Sequence, residues 1–158
     1  MGAQAGTQID ARIENQTGNQ AASATRRDEG FVVVRTPAQI SAVQGLPYYV
    51  GLSNQTAGAK GISMNLVVIP PAGAAEAHSH SDFETAIYLI RGRVLCRYGE
   101  HLARSAVIEP GDFLYIGPNV WHQPINLSES EEALAVVARN DPSEQEHVIL
   151  ADDGDRAA

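Results

Sequence analysis

Residues 77–94 read AHSHSDFETAIYLIRGRV. On an extended strand, residues of equal parity project to the same side, so His78 and His80 present their imidazoles together about two strand rises apart. That is a chelating arrangement. The run TAIYLI that follows is short, ends at Gly92, and reads as a strand. It is apolar on both alternating faces, so one face needs a core and the other needs cover from a partner sheet or subunit. Glu84 shares the parity of the two histidines. If the chain bends at Ser81–Asp82 and resumes as a strand, the Glu84 carboxylate returns to the same interior, and Tyr88, of like parity, reads as a core tyrosine.

Outward from this stretch the chain is a series of short apolar runs with turn signals between them. FVVV (31–34), YYVGL (48–52), ISMNLVVI (62–69), RVLCRY (93–98), SAVI (105–108), DFLYI (112–116) and EALAVVAR (132–139) are too short for buried helices. Their spacing predicts an all-β sandwich or small barrel with at most one or two short helices. One helix is expected in TPAQISAVQG, with Thr36 as N-cap, Pro37 in the first helical position and Gly45 as the stop. Turns are expected at Gly92, Gly99–Glu100, Pro110–Gly111 and Gly117–Pro118–Asn119, where Asn119 tolerates a left-handed backbone.

A chain of 158 residues, 44% of them apolar, fills one core of ordinary size. Residues 1–28 are rich in Gln, Ala, Gly, Thr and Asn and read as a mobile tail, with a docking strand or helix around Ile9–Ile13 as the alternative. The domain is expected over 29–150, followed by a second tail over 151–158. The net charge of −8, with eleven scattered basic residues, gives no footprint for nucleic acid or an anionic membrane. No apolar stretch approaches the length of a bilayer span. Cys96 is the single cysteine, which excludes an internal disulfide and fits a reducing compartment. With no signal-peptide pattern at the amino end, the expected localisation is cytoplasmic.

A closed metal shell needs a third imidazole, from His101, His122 or His147. His122 follows a strand and a Gly-Pro-Asn turn, the way an antiparallel barrel delivers a side chain to its interior from a neighbouring strand. His101 sits in a hairpin tip and His147 in a polar approach to the last strand, contexts of solvated side chains.

These segments resemble the two motifs of the cupin superfamily. The first runs Gly, five residues, His-x-His, three or four residues, Glu, six residues, Gly; here Gly73, His78, His80, Glu84 and Gly92 carry it, although only four residues separate Gly73 from His78. The second is carried by Gly111, His122 and Asn126 with the family's spacing, although Gly117 and Asn119 stand at its Pro and Gly positions. Seven residues, not six, separate Glu84 from Gly92, so a strict count puts Thr85 at the carboxylate position; Glu84 is taken as the ligand because Thr85 supplies no anionic oxygen.

The resemblance implies a double-stranded β-helix, a jelly-roll barrel. It also implies one divalent transition metal ion on His78, His80, Glu84 and His122. Such a shell leaves one or two positions open, and its softness does not choose among Fe, Mn, Ni, Co and Zn; iron or manganese is favoured. The expected function is a small metalloenzyme of oxidoreductase, lyase or isomerase type acting on a small organic acid, ketone or phenolic compound. Glu84 is then also the proton-handling catalytic group. The alternatives are a non-catalytic module binding or sensing a metabolite or sugar, and a structural dimer with a vestigial site. The double-faced strand TAIYLI and the FVVV segment point to a homodimer.

Overall fold

The computed structural model of the chain describes residues 25–28, 30–35, 38–143 and 145–152. Thirteen strands run through them. The first six are β1 (Thr25–Asp28), β2 (Phe31–Val34), β3 (Ala38–Ser41), β4 (Pro47–Leu52), β5 (Ser63–Ile69) and β6 (His78–His80). Then come β7 (Thr85–Arg91), β8 (Val94–Tyr98), β9 (Arg104–Ile108) and β10 (Phe113–Ile116). The last are β11 (His122–Asn126), β12 (Ala133–Arg139) and β13 (Val148–Leu150). A 3-10 turn at Glu100–Leu102 is the one helical element among the described residues.

The strands form a six-stranded sheet in the order β10-β7-β12-β5-β4-β3, a five-stranded sheet in the order β13-β6-β11-β8-β9, and a separate β1–β2 hairpin. Every pairing is antiparallel. The two large sheets face each other as the two layers of a jelly roll. Strand alternation decides what lies between them. In β12 the odd-numbered residues Ala133, Ala135, Val137 and Arg139 are buried; in β5, Ser63, Asn65, Val67 and Ile69 are. Tyr48, Leu89 and Val94 join the apolar members of this set in the main core.

Two motif residues hold the sheets in place. Gly92 has φ +88° at the β7–β8 turn, and a Cβ there would lie 2.5 Å from the Ala133 Cβ, so no side chain fits. Buried Asn126 donates to the carbonyls of Ile69, Pro70 and Glu131 and accepts from the Ser128 amide, tying β11 to the end of β5 and to the loop before β12.

The helix expected in TPAQISAVQG does not form. Thr36 and Pro37 lie outside the described residues, and Ala38–Ser41 is β3, paired with β4 in the register Ile40↔Tyr48. Pairing with β4 satisfies the backbone there and packs Ile40 against the main core, which outweighs a weak helical preference. Gly45, φ +85°, serves the hairpin turn between β3 and β4 instead of a helix stop. Residues 1–24 and 153–158 of the two expected tails lie outside the described residues. Thr25–Asp28, assigned to the amino-terminal tail, pairs with β2, and Ala151 at the other end is buried with its amide on the Ala77 carbonyl. No helix among the described residues is long and apolar enough to cross a membrane.

Candidate metal centre

β6 and β11 lie side by side in the five-stranded sheet with His122 directly opposite His78, and His80 follows two residues along the same face of β6. All three side chains are buried between the sheets. Their ring centroids are 5.1 Å (His78–His80), 4.2 Å (His78–His122) and 5.4 Å (His80–His122) apart. One ring nitrogen from each lies within 4.8 Å of the other two.

Hydrogen bonding fixes which nitrogen that is. Nδ1 of His78 meets the Glu76 carbonyl at 2.7 Å, Nδ1 of His80 the Glu146 carbonyl at 2.8 Å, and Nδ1 of His122 the Val120 carbonyl at 2.9 Å. A carbonyl only accepts, so each Nδ1 carries the proton and each Nε2 offers a lone pair. Nε2 of His80 is buried without a hydrogen-bond partner among the described residues. A buried acceptor left unpaired is costly, and a cation shared with the other two rings satisfies it. Burial also holds the rings neutral, as a metal ligand must be. It pushes His78 down to about 2, with the neighbouring His122 adding to the effect. Burial and then the Arg139 charge bring His80 to about 3, and burial brings His122 to about 4. The donor set therefore fits one divalent ion.

Glu84 is not part of it. Its carboxylate accepts from the Tyr115 hydroxyl at 2.8 Å and faces Asn140, on the exposed side of β7. The parity is the reverse of that expected: Thr85, Ile87 and Leu89 point inward, whereas Tyr88 points outward and rests on Phe113 with ring centroids 4.8 Å apart. The carboxylate position of the first motif is thus held by Thr85. His101 sits in the 3-10 turn, away from the cluster. His147 is half-exposed, 2.5 Å from the buried Asp141 carboxylate, a pairing that nothing in the local sequence signals.

Behind Thr85 lies a buried polar network. Arg139 Nε donates to Thr85 Oγ1 at 2.9 Å, and its guanidinium forms an ion pair with Glu146. Asn65 donates to Glu146 at 2.9 Å. Burial, followed by the Glu146 charge, pushes the Tyr48 phenol up. A cavity of about 60 Å³ lies between the sheets, bounded by His78, His122 and Arg139 and otherwise by apolar side chains such as Val67, Leu89 and Val137.

An antiparallel jelly roll with three inward imidazoles on adjacent strands is a barrel built around a metal-binding cluster. The sequence model described as "Cupin domain" matches residues 65–138. A germin-like protein of Arabidopsis thaliana, subfamily T member 3, is 38% identical over 96 residues, covering 58% of this chain and 42% of that protein. Two solved structures share the fold. The oxalate decarboxylase of Lactobacillus farciminis in its formate complex has a TM-score of 0.62 at 20% identity, over 72% of this chain and 33% of that one. An oxalate oxidase with the substrate analogue glycolate has 0.59 at 23% identity, over 70% and 57%. Over residues 65–138 the chain is similar to the cupin domain, and it shares the fold of these two structures. It spans less than half the length of the curated relative it matches.

Proposed function

We propose that this protein is a metal-dependent enzyme of cupin type in which His78, His80 and His122 hold one divalent ion and a small organic acid, ketone or phenolic compound takes the open coordination positions. The observation that carries the reading is the convergence of three neutral, carbonyl-anchored imidazoles with no carboxylate of the described residues among them. Three nitrogen donors leave an ion unsaturated, whereas a structural zinc closes its tetrahedron with protein side chains. The ion supplies Lewis acidity or oxygen activation, which suits dioxygenase, decarboxylase or isomerase chemistry. Iron or manganese is favoured, and nickel, cobalt or zinc is compatible with the donors. The chain's own part is selection and exclusion. The apolar walls keep bulk water from the rings, and the small cavity admits a compact substrate with an apolar body and one polar end. The structural neighbours, an oxalate decarboxylase in a formate complex and an oxalate oxidase with the substrate analogue glycolate, support a small acid. Glu84 has no place in the centre. The single buried cysteine, Cys96, supports the cytoplasmic reading.

Metal analysis of protein purified without exposure to an affinity metal should find about one equivalent per chain. Oxygen uptake and product screens with candidate acids, ketones and phenols should then show turnover that a chelator abolishes. Tight binding of a metabolite that is released unchanged would replace this reading with that of a binding or sensing module.

The chain is also proposed to pair with a second copy through the outer face of the six-stranded sheet. Phe113, Tyr88, Val136, Leu66 and Tyr49 stand in register across five adjacent strands of that face. Phe113 is 84% exposed and Tyr115 64%, with Ile90 and Met64 also open. An apolar row of this extent on an uncovered sheet marks an association surface. Sedimentation at micromolar concentration should give a dimer, and Phe113→Asp should give a monomer; a wild-type monomer would count against the pairing.

A further inference from the structure

We propose that Glu146 is a positioning residue of the metal centre, its carboxylate cancelling the charge of Arg139 beside the histidines while its main-chain carbonyl orients His80. The inference rests on the reading that the three histidines hold a divalent ion.

Arg139 is at once the reason for Glu146 and the obstacle to a metal. Its side chain is 2% exposed and bounds the same cavity as His78 and His122. A guanidinium keeps its proton at any working pH, so this positive charge is permanent. In a dry interior an uncompensated cation repels a dication strongly. The nearest residue on the inner face of β7, where a carboxylate could have balanced the charge, is Thr85, which offers Arg139 a neutral oxygen. Compensation comes instead from the carboxyl end of the domain. The Glu146 side chain, also 2% exposed, forms the ion pair with Arg139 and is held by Asn65.

The same residue reaches the centre through its backbone. The Glu146 carbonyl is 2.8 Å from His80 Nδ1 and fixes both the tautomer and the ring direction. Glu146 adopts φ +58°, which is unfavourable for a residue with a side chain. That conformation lets one residue aim its carboxylate at Arg139 and its carbonyl at His80. β13 follows at once and pairs Val148 with His80 and Leu150 with His78, so the segment is laid along the strand that carries two of the three rings.

The test is Co(II) affinity, measured on the full chain by competition with a chromogenic chelator, with thermal melts of the metal-free proteins alongside. Glu146→Gln keeps the carbonyl and the shape of the side chain but removes the charge. It should weaken Co(II) binding about 10- to 100-fold in a folded protein. Adding Arg139→Gln to that variant should restore affinity to within about threefold of wild type, whatever the melts show. A packing role alone would leave the double variant at least as weak as the single one, and that result overturns the inference. So does unchanged affinity in Glu146→Gln, which would mean that Glu146 carries its proton. If Glu146→Gln does not fold, Arg139→Gln alone decides: affinity no weaker than wild type supports the charge argument, and weaker affinity overturns it. Wild-type protein that takes up no Co(II) overturns the metal centre itself, and this inference with it.

Discussion

Alanine at His80 or at His122 should empty the protein of its divalent ion, while Glu84→Gln should leave the metal content as it was. Each imidazole is one of three donors, and an ion held by two nitrogens in an apolar cavity has lost a third of its protein ligation with little water at hand to replace it. A fall in affinity of about a thousandfold, roughly 4 kcal/mol, is expected for either histidine. Glu84 spends its carboxylate on Tyr115 and Asn140 on the exposed side of β7, so loss of its charge is not felt at the rings. His101→Ala should behave like Glu84→Gln. Elemental analysis of the four variants, each shown to be folded by circular dichroism, checks this. Equal metal in His122→Ala and wild type sinks the histidine cluster as a metal site; loss of metal in Glu84→Gln returns Glu84 to the shell.

The Glu84 reversal shows where strand parity stops being readable. Counting forward from His80 assumes that the parity of the strand carries through a bend at Ser81–Asp82. It does not, for Asp82 turns with φ +62° and the stretch between β6 and β7 belongs to neither strand. Counting back from Gly92 lands on Thr85, because close contact with Ala133 pins that end of β7 and the count stays within one strand, even though its pairing with β12 shifts register between Leu134 and Ala135. The reliable ruler was the rigid one. His78 and His80 were legible because their parity argument ran inside a single strand, and His122 because a turn delivers it at the start of the next one.

Other elements divide along this line. Most of the apolar runs fall on strands, because short alternating segments bounded by Gly and Pro have few other ways to bury one face. The β3 segment misled because Thr, Pro and Gly suit a helix locally, and only pairing with β4 reveals the other solution. Arg139 could have been found, since Ala133, Ala135, Val137 and Arg139 share one parity in β12 and the first three are plainly core. Glu146 could not, for it lies in a turn without periodicity and its burial depends on a partner seven residues back in the chain.

Acidification of the metal-free protein should unfold it between about pH 4 and pH 5, with the three buried histidines driving the loss. Each of His78, His80 and His122 is neutral in the fold, with burial holding them down to about 2, 3 and 4. In the unfolded chain a histidine titrates near the ordinary value of about 6.5. The sign follows from proton counts. Between about pH 6.5 and pH 4 the unfolded chain binds protons that the folded chain refuses, so stability is fully present above 6.5 and falls as the pH drops. One such group costs about 1.4 kcal/mol per pH unit, so three together cost about 4 kcal/mol per unit below pH 6. A domain of this size has about 5–15 kcal/mol to lose. Chelator-treated protein should therefore reach its acid midpoint between about pH 4 and pH 5. His80→Gln should lessen the slope of stability against pH by about a third, because one of three titrating rings is gone. Reloading the metal before the titration should move the midpoint to lower pH, since protons must then displace a ligand that binds only the folded state. Urea denaturation at pH 7, 6 and 5 reads the slope directly, and a metal-free protein equally stable at pH 7 and pH 5 would show that the three rings are not buried neutral in the fold.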